Sequence, residues 1–182
     1  MSSRNPDLER RLSYAEAIRE STDQEMARDA SVILFGLDVD DAKAILGTTR
    51  DLVRKYGAER VFGTPLSEEA MTGAAIGMAL AGLRPIHVHI RMDFVMLAMN
   101  QLINMAAKTQ YMFGGQEHLP LVVRSIIGKS WGQGAQHSQG LYSFFMHVPG
   151  VKVVAPATPY DAKGCLAAAV RDPNPVMFIE HR

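Results

Sequence analysis

The segments SVILFGL and LPLVVRSII are apolar almost from end to end and do not alternate, and PVMFIEH repeats the pattern near the end of the chain. A strand with one wet face alternates, so strands of this kind are buried on both sides. Together with RVFGTP, RPIHVHI and VKVVAP they are separated by segments with the period of helices of roughly ten residues or more, a length that allows crossover connections between parallel neighbours. The pattern predicts an α/β fold, an open, mostly parallel sheet of about six strands with helices on both faces.

The helices carry their own punctuation. Ser13-Tyr14-Ala15-Glu16 has capping-box spacing and opens a helix to about Ala30. A second helix is expected from Asp40 to Tyr56, stopped by Gly57, a third from Ser67 to Ala81, ended by Gly82, and a fourth from Phe94 to Tyr111, before Gly114-Gly115. LYSFFMH reads as a short helix, and Thr158-Pro159 supplies the cap and first residue of the last one. Nothing divides the 182 residues into two parts, so one domain is expected over 1–182, with 1–12 as a flexible N-terminal segment.

Composition removes several functions. Nineteen basic and nineteen acidic residues cancel, and no Lys/Arg cluster interleaves with aromatics, which argues against nucleic acid as a partner. The stretch Met71 to Leu83 contains Thr72 and glycines and is too short for a membrane span. A single cysteine, Cys165, and a polar start, MSSRNPDLERR, place the chain in the cytoplasm by default.

Open parallel sheets bind ligands at the carboxyl ends of their strands, where Thr64–Glu68 and Ile127–Gln139 fall. Glu68 stands at the mouth of a helix built from Gly, Ala and Met. Its ordinary reading is that Ser67 caps the helix while Glu68 and Glu69 complement the dipole. The loop GKSWGQGAQHSQG carries Trp131, Gln133, Gln136 and His137 among glycines, and His137 is open between proton donor, orienting hydrogen-bond donor and plain loop residue. His87 and His89 share one side of a strand, but no third ligand completes a metal site, so they read as buried, hydrogen-bonded histidines.

Two helices speak for assembly. Ala70, Gly73, Ala74, Gly77 and Ala81 form one small face, open between a close internal helix contact and a subunit interface. The next helix, with Met96, Met99, Met105 and Met112, is apolar nearly all round and is expected to be buried on most sides, which favours an oligomer.

No GxGxxG or GxxxxGK[ST] occurs, nor GDG followed by an asparagine. Instead KYGAERVFGTPLSEEAMTGAAIGMALAGLRPI, DFVMLAMNQLINMAAKTQYMFGG, GAQHSQG and PGVKVVAPATPYDAKG, in this order, resemble the beta subunit of thiamine-diphosphate-dependent 2-oxoacid dehydrogenases, from about Tyr14 to Arg182. The resemblance implies the pyrimidine-binding fold of the transketolase-like enzymes. It implies that Glu68 hydrogen-bonds a ring nitrogen of the cofactor's aminopyrimidine and so promotes removal of the thiazolium proton, after which the cofactor attacks a 2-oxoacid. Such a carboxyl group must be held away from water, where it can share a proton with the pyrimidine. Phe94 matches the aromatic residue that packs against the pyrimidine, and His137 the histidine that orients substrate or the lipoyl acceptor. Leu121, Ala169, Val170, Asp172 and Asn174 match positions whose backbone oxygens hold a potassium ion.

The chain also departs from that pattern. Where the family has two acids after a glycine in its first strand, Gly36-Leu37-Asp38 has one. The chain stops at FIEHR, where the family's second domain would begin, and the motif that binds magnesium and diphosphate is missing. The resulting expectation is the pyrimidine-binding subunit of a split enzyme, decarboxylating a 2-oxoacid with acyl transfer and inactive alone. Its expected partners are a diphosphate-binding alpha-type subunit carrying magnesium, a separate C-terminal-domain subunit and a lipoyl acyltransferase. The alternatives are a ketol-transfer subunit of transketolase type and a non-catalytic assembly subunit.

Overall fold

Ser13 accepts a hydrogen bond from the Glu16 backbone, and the Glu16 carboxylate takes the Ser13 N–H at 2.8 Å, so the capping box closes and α1 (Tyr14–Arg28) begins where the spacing places it. The structure, a computed structural model, describes residues 10–128 and 133–181. Trp131 and residues 1–9 of the expected flexible segment lie outside the described residues.

Six strands, β1 (Val32–Gly36), β2 (Val61–Gly63), β3 (Arg84–His89), β4 (Val122–Ile127), β5 (Lys152–Val154) and β6 (Val176–His181), form one sheet in the order β2-β1-β3-β4-β6-β5. Every neighbouring pair is parallel, as the unbroken apolar runs require. Val32 and Leu34 pack into a cluster with Ile18, Met26, Leu166 and Val170, which come from α1 and α7 (Pro159–Arg171). Ile33 and Phe35 point the other way, to Ala75, Ile76 and Ala79 of α3 (Glu68–Leu80) and to Leu102 and Ala106. Alternate residues of one strand therefore enter two cores.

The connections set up a crevice. Between β1 and β2 the chain places Val39, Ile45 and Leu52 on the first face, whereas α3, between β2 and β3, covers the second. Neighbouring strands β1 and β3 thus meet where the order of connection reverses, and the loops at their carboxyl ends part.

Two helices differ from expectation. Of the span Asp40–Tyr56 only α2 (Leu52–Tyr56) is α-helical, and the rest is a series of turns. Ala44, Ile45 and Leu46 have φ of 50°, 46° and 61°, outside right-handed helix, and Gly47 follows at 91°. Short polar side chains satisfy the backbone locally here, Asp41 accepting from the Lys43 N–H and Thr49 Oγ1 donating to the Val39 carbonyl at 2.8 Å. The apolar residues still reach the core, but through turns.

The methionine-rich span starts early and is not uniform. It runs as α4 (Met92–Val95), a 3₁₀ turn (Met96–Ala98), a π-helical stretch (Asn100–Ala106) and α5 (Thr109–Met112). It is also not buried on most sides: Ala98, Leu102 and Ala106 face the core, while Leu97 at 61% and Met112 at 70% are exposed. A helix lying on a single-layer partner covers only its inner stripe, and no described element packs on the outer one. The last helices are α6 (Tyr142–Met146) and α7. Among the described residues, no helix is long and apolar enough to cross a membrane.

Deep in the sheet, Arg124 of β4, fully buried, makes a bidentate ion pair with Glu180 of β6. At the other critical junction Gly36, paired with Val88, has φ of 151°, and a Cβ there would stand 2.3 Å from the Val88 carbonyl oxygen. Substituting Gly36→Ala should lower unfolding free energy by at least about 1–3 kcal/mol. Chemical denaturation monitored by circular dichroism checks this, and an unchanged midpoint would contradict the close approach.

Candidate functional site

At the carboxyl ends of β1, β2 and β3 lies a cavity of about 550 Å³. Its walls are Leu37 after β1, the turn Thr64–Ser67 after β2, Glu68 and Met71 of α3, His87–His89 of β3 with Ile90 and Arg91, then Phe94, Leu97 and His137. Glu68, Phe94 and His137, far apart in sequence, meet here because parallel strands deliver their loops to one edge.

Glu68 is the first residue of α3 and is half-buried. Ser67 makes no side-chain capping bond, contrary to the ordinary reading of this sequence, because its φ of −156° and ψ of 75° hold it away from cap geometry. The two glutamates separate in role. Glu69 accepts a hydrogen bond from Gln101 Nε2 at 3.0 Å, whereas the Glu68 side chain faces the cavity with no hydrogen bond among the described residues.

Phe94 and His137 lie edge to face, with ring centroids 5.2 Å apart and planes at 78°. Two charged residues flanking the start of α4 hold this pair together. Arg91 Nε donates to Gln133 Oε1 at 2.9 Å, and Asp93 Oδ1 accepts from the Gln139 side chain at 2.8 Å and backbone at 3.3 Å. The 3₁₀ turn Ala135–His137 is held between those anchors. Neither Arg91 nor Asp93 was singled out in the sequence; the available signal was two charges interrupting an apolar strand-to-helix junction.

Two buried polar rings of β3, His87 and His89, also line the cavity. His87 stacks on Phe35 at 4.6 Å, with Nδ1 3.4 Å from the Phe35 carbonyl, and meets His89 at 4.4 Å. His89 Nε2 pairs with Thr72 Oγ1 at 3.1 Å, but His87 Nε2 is buried without a partner. Burial pulls His87 from 6.5 to about 4, and pulls His89 down as well, with a smaller contribution from His87. Both histidines of the expected hydrogen-bonded pair make one such bond, and in His87 the other nitrogen is buried without a partner. No group of three or more His, Cys, Asp or Glu suited to a metal occurs among the described residues.

The carbonyl set Leu121, Ala169, Val170, Asp172 and Asn174 lies at the opposite, amino edge of the sheet. There Leu121 O accepts from Val176 N at 2.8 Å, Ala169 O from Asp172 N at 3.2 Å, and Val170 O and Asp172 O from Arg84 at 2.9 and 3.5 Å. Two of the five oxygens are therefore already engaged by the Arg84 guanidinium.

Residues 10–182 match the family described as the transketolase pyrimidine-binding domain. The chain is 46% identical to the beta subunit of acetoin:2,6-dichlorophenolindophenol oxidoreductase from Cupriavidus necator, over 96% of this chain and 54% of that one. It is also 46% identical to a pyruvate dehydrogenase E1 component subunit beta from Gracilaria tenuistipitata, over 91% and 51%. It spans about half the length of these curated relatives. A solved structure, a split-gene transketolase described as an inactive beta4 tetramer, superposes with a TM-score of 0.74 at 17% identity, over 94% of this chain and 52% of that one.

The lowered His87 pKa gives a stability signature. The unfolded histidine binds its proton as pH falls below 6.5 while the folded one resists to about 4, so stability should fall across that window and level off below it. The loss from His87 is about 3 kcal/mol. Unfolding free energies measured from pH 7 to 4 should show a shallower slope in His87→Leu than in the wild type; equal slopes would contradict the burial of a neutral ring.

Proposed function

Because the chain belongs to the transketolase pyrimidine-binding domain family, we propose that its cavity receives the aminopyrimidine of thiamine diphosphate and that it serves as the beta-type part of a 2-oxoacid-converting enzyme. The observation that carries this reading is the convergence of Glu68, Phe94 and His137 on one cavity at the β1/β3 crevice. A flat aromatic edge, an unengaged carboxylate and an orphaned ring nitrogen suit a planar heterocycle that offers both donors and acceptors.

In this reading Glu68 holds and returns a proton at a pyrimidine ring nitrogen, Phe94 fixes the ring's plane, and His137 orients the substrate or the acyl acceptor. The bound cofactor supplies the nucleophilic carbon and the electron sink for decarboxylation. Leu37, in the cavity wall, carries no proton, so any relay through this position is absent from the scheme. An alpha-type partner holds the diphosphate and magnesium, and the acyl group passes to a lipoyl acyltransferase. Potassium belongs to the carbonyls at the amino edge, remote from the chemistry.

The outer faces support assembly. Outside its own helix and chain neighbours, nothing among the described residues lies within 4 Å of a Cβ built on Gly77, and Leu97, Met105 and Met112 stand exposed. Another subunit packing there would close the cavity against water and complete the dry surroundings Glu68 needs. Leu37 favours one second reading, an assembly subunit that keeps the fold without the chemistry.

Thiamine diphosphate with magnesium should raise the melting temperature of the assembled complex by mass action. Glu68→Gln in that complex should cut turnover by at least about 10²-fold while leaving its assembly intact. Wild-type turnover in this variant would remove Glu68 from the mechanism. A complex that binds the cofactor and shows no turnover on pyruvate, acetoin or a ketose donor would favour the assembly reading.

A further inference from the structure

His87 is a costly residue for the place it occupies. It is 2% exposed in the floor of an apolar crevice, stacked on Phe35, and a valine or leucine would fill the same layer without a polar atom. Its two nitrogens differ. The Phe35 carbonyl can only accept, so Nδ1 carries the hydrogen directed at it, and Nε2 is left as a bare lone pair. That lone pair is the atom with no partner. An unmet buried acceptor is a penalty of about 1–3 kcal/mol, and the neighbouring polar groups do not relieve it, because His89 is already bonded to Thr72. His87 lines the same cavity as Glu68 and Phe94.

We propose that His87 Nε2 accepts a hydrogen bond from an N–H or O–H group of the ligand seated in this cavity, making it a second polar recognition point beside the Glu68 carboxylate's own. The assignment rests on the cavity being the pyrimidine site proposed above. It goes beyond that reading by giving the floor a directional acceptor that stays neutral, since burial keeps the imidazole unprotonated at neutral pH. Two sources carry the required donor, the exocyclic amino group of the aminopyrimidine and a hydroxyl of the substrate. The ring holds its lone pair in place in advance, so binding gains the bond without ordering a flexible side chain.

The test uses the assembled enzyme with thiamine diphosphate and magnesium, comparing wild type, His87→Gln, His87→Asn and His87→Leu. Glutamine can place an acceptor where Nε2 stands, whereas asparagine and leucine cannot. Asparagine and leucine should weaken binding about 3–10-fold, with glutamine retaining most of the affinity. The leucine enzyme without ligand should melt no lower than the wild type, because the unmet acceptor is gone; a purely structural histidine would give the opposite. An asparagine loss that disappears with 4′-deamino thiamine diphosphate assigns the donor to the cofactor, and a loss confined to the KM for acetoin, whose hydroxyl can donate, and absent with pyruvate, which has no donor, assigns it to the substrate. Equal losses in the glutamine and asparagine enzymes, or no loss in any variant, would overturn the proposal. Failure of the wild-type complex to bind thiamine diphosphate would instead remove the pyrimidine reading itself.

Discussion

The parallel pairing of β1 with β3 is the contact on which the remainder of the molecule depends. It joins the two strands whose onward connections leave on opposite faces of the sheet, and it runs to Gly36 opposite Val88, where backbone meets backbone with no room for a side chain. Only a glycine lets the strands stay paired up to the rim of the crevice. Spread that junction and Leu37, the 64–68 turn and the His87–Arg91 segment no longer face one another. The cavity is therefore a property of the topology before it is a property of any side chain.

Within that geometry, charge is sparse and placed with care. Glu25 pairs with Arg28 and Arg171, and Arg124 with Glu180, so ion pairs on buried carboxylates tie α1 to α7 and β4 to β6. They stabilise the frame rather than the crevice. In the cavity Glu68 forms no ion pair among the described residues, and burial pushes the nearby histidine pair toward neutrality. A pocket of this kind is suited to sharing one proton with a heterocycle and poorly suited to binding a bare metal ion.

The fold was largely legible in the chain because apolar runs without alternation allow few arrangements, and those in Val32–Gly36 and Val122–Ile127 became central strands. Helices whose ends carry backbone-specific chemistry were also legible, as at Ser13, Thr158 and Gly82. The span after Asp40 was misread because its hydrophobic spacing fits a helix, while Asp41 and Thr49 bond the backbone in turns. The methionine-rich helix was expected to be more enclosed than it is, since a sequence shows that residues are apolar but not what covers them. At the site, the candidates Glu68, Phe94 and His137 could be named one by one, whereas Arg91 and Asp93, which hold the 133–139 turn in place, could not.

By itself the sequence determined the layers, the parallel sheet and the carboxyl edge at which ligands bind, because burial pattern and connection length are local properties. Only the tertiary structure decided that Glu69 is engaged and Glu68 is not, that Phe94 meets His137 edge to face, and that one of two similar histidines keeps an unpaired nitrogen in the cavity floor. Those outcomes depend on which atom lies within about 3 Å of another, and hydrogen bonds of that length are settled by packing between segments distant in the chain.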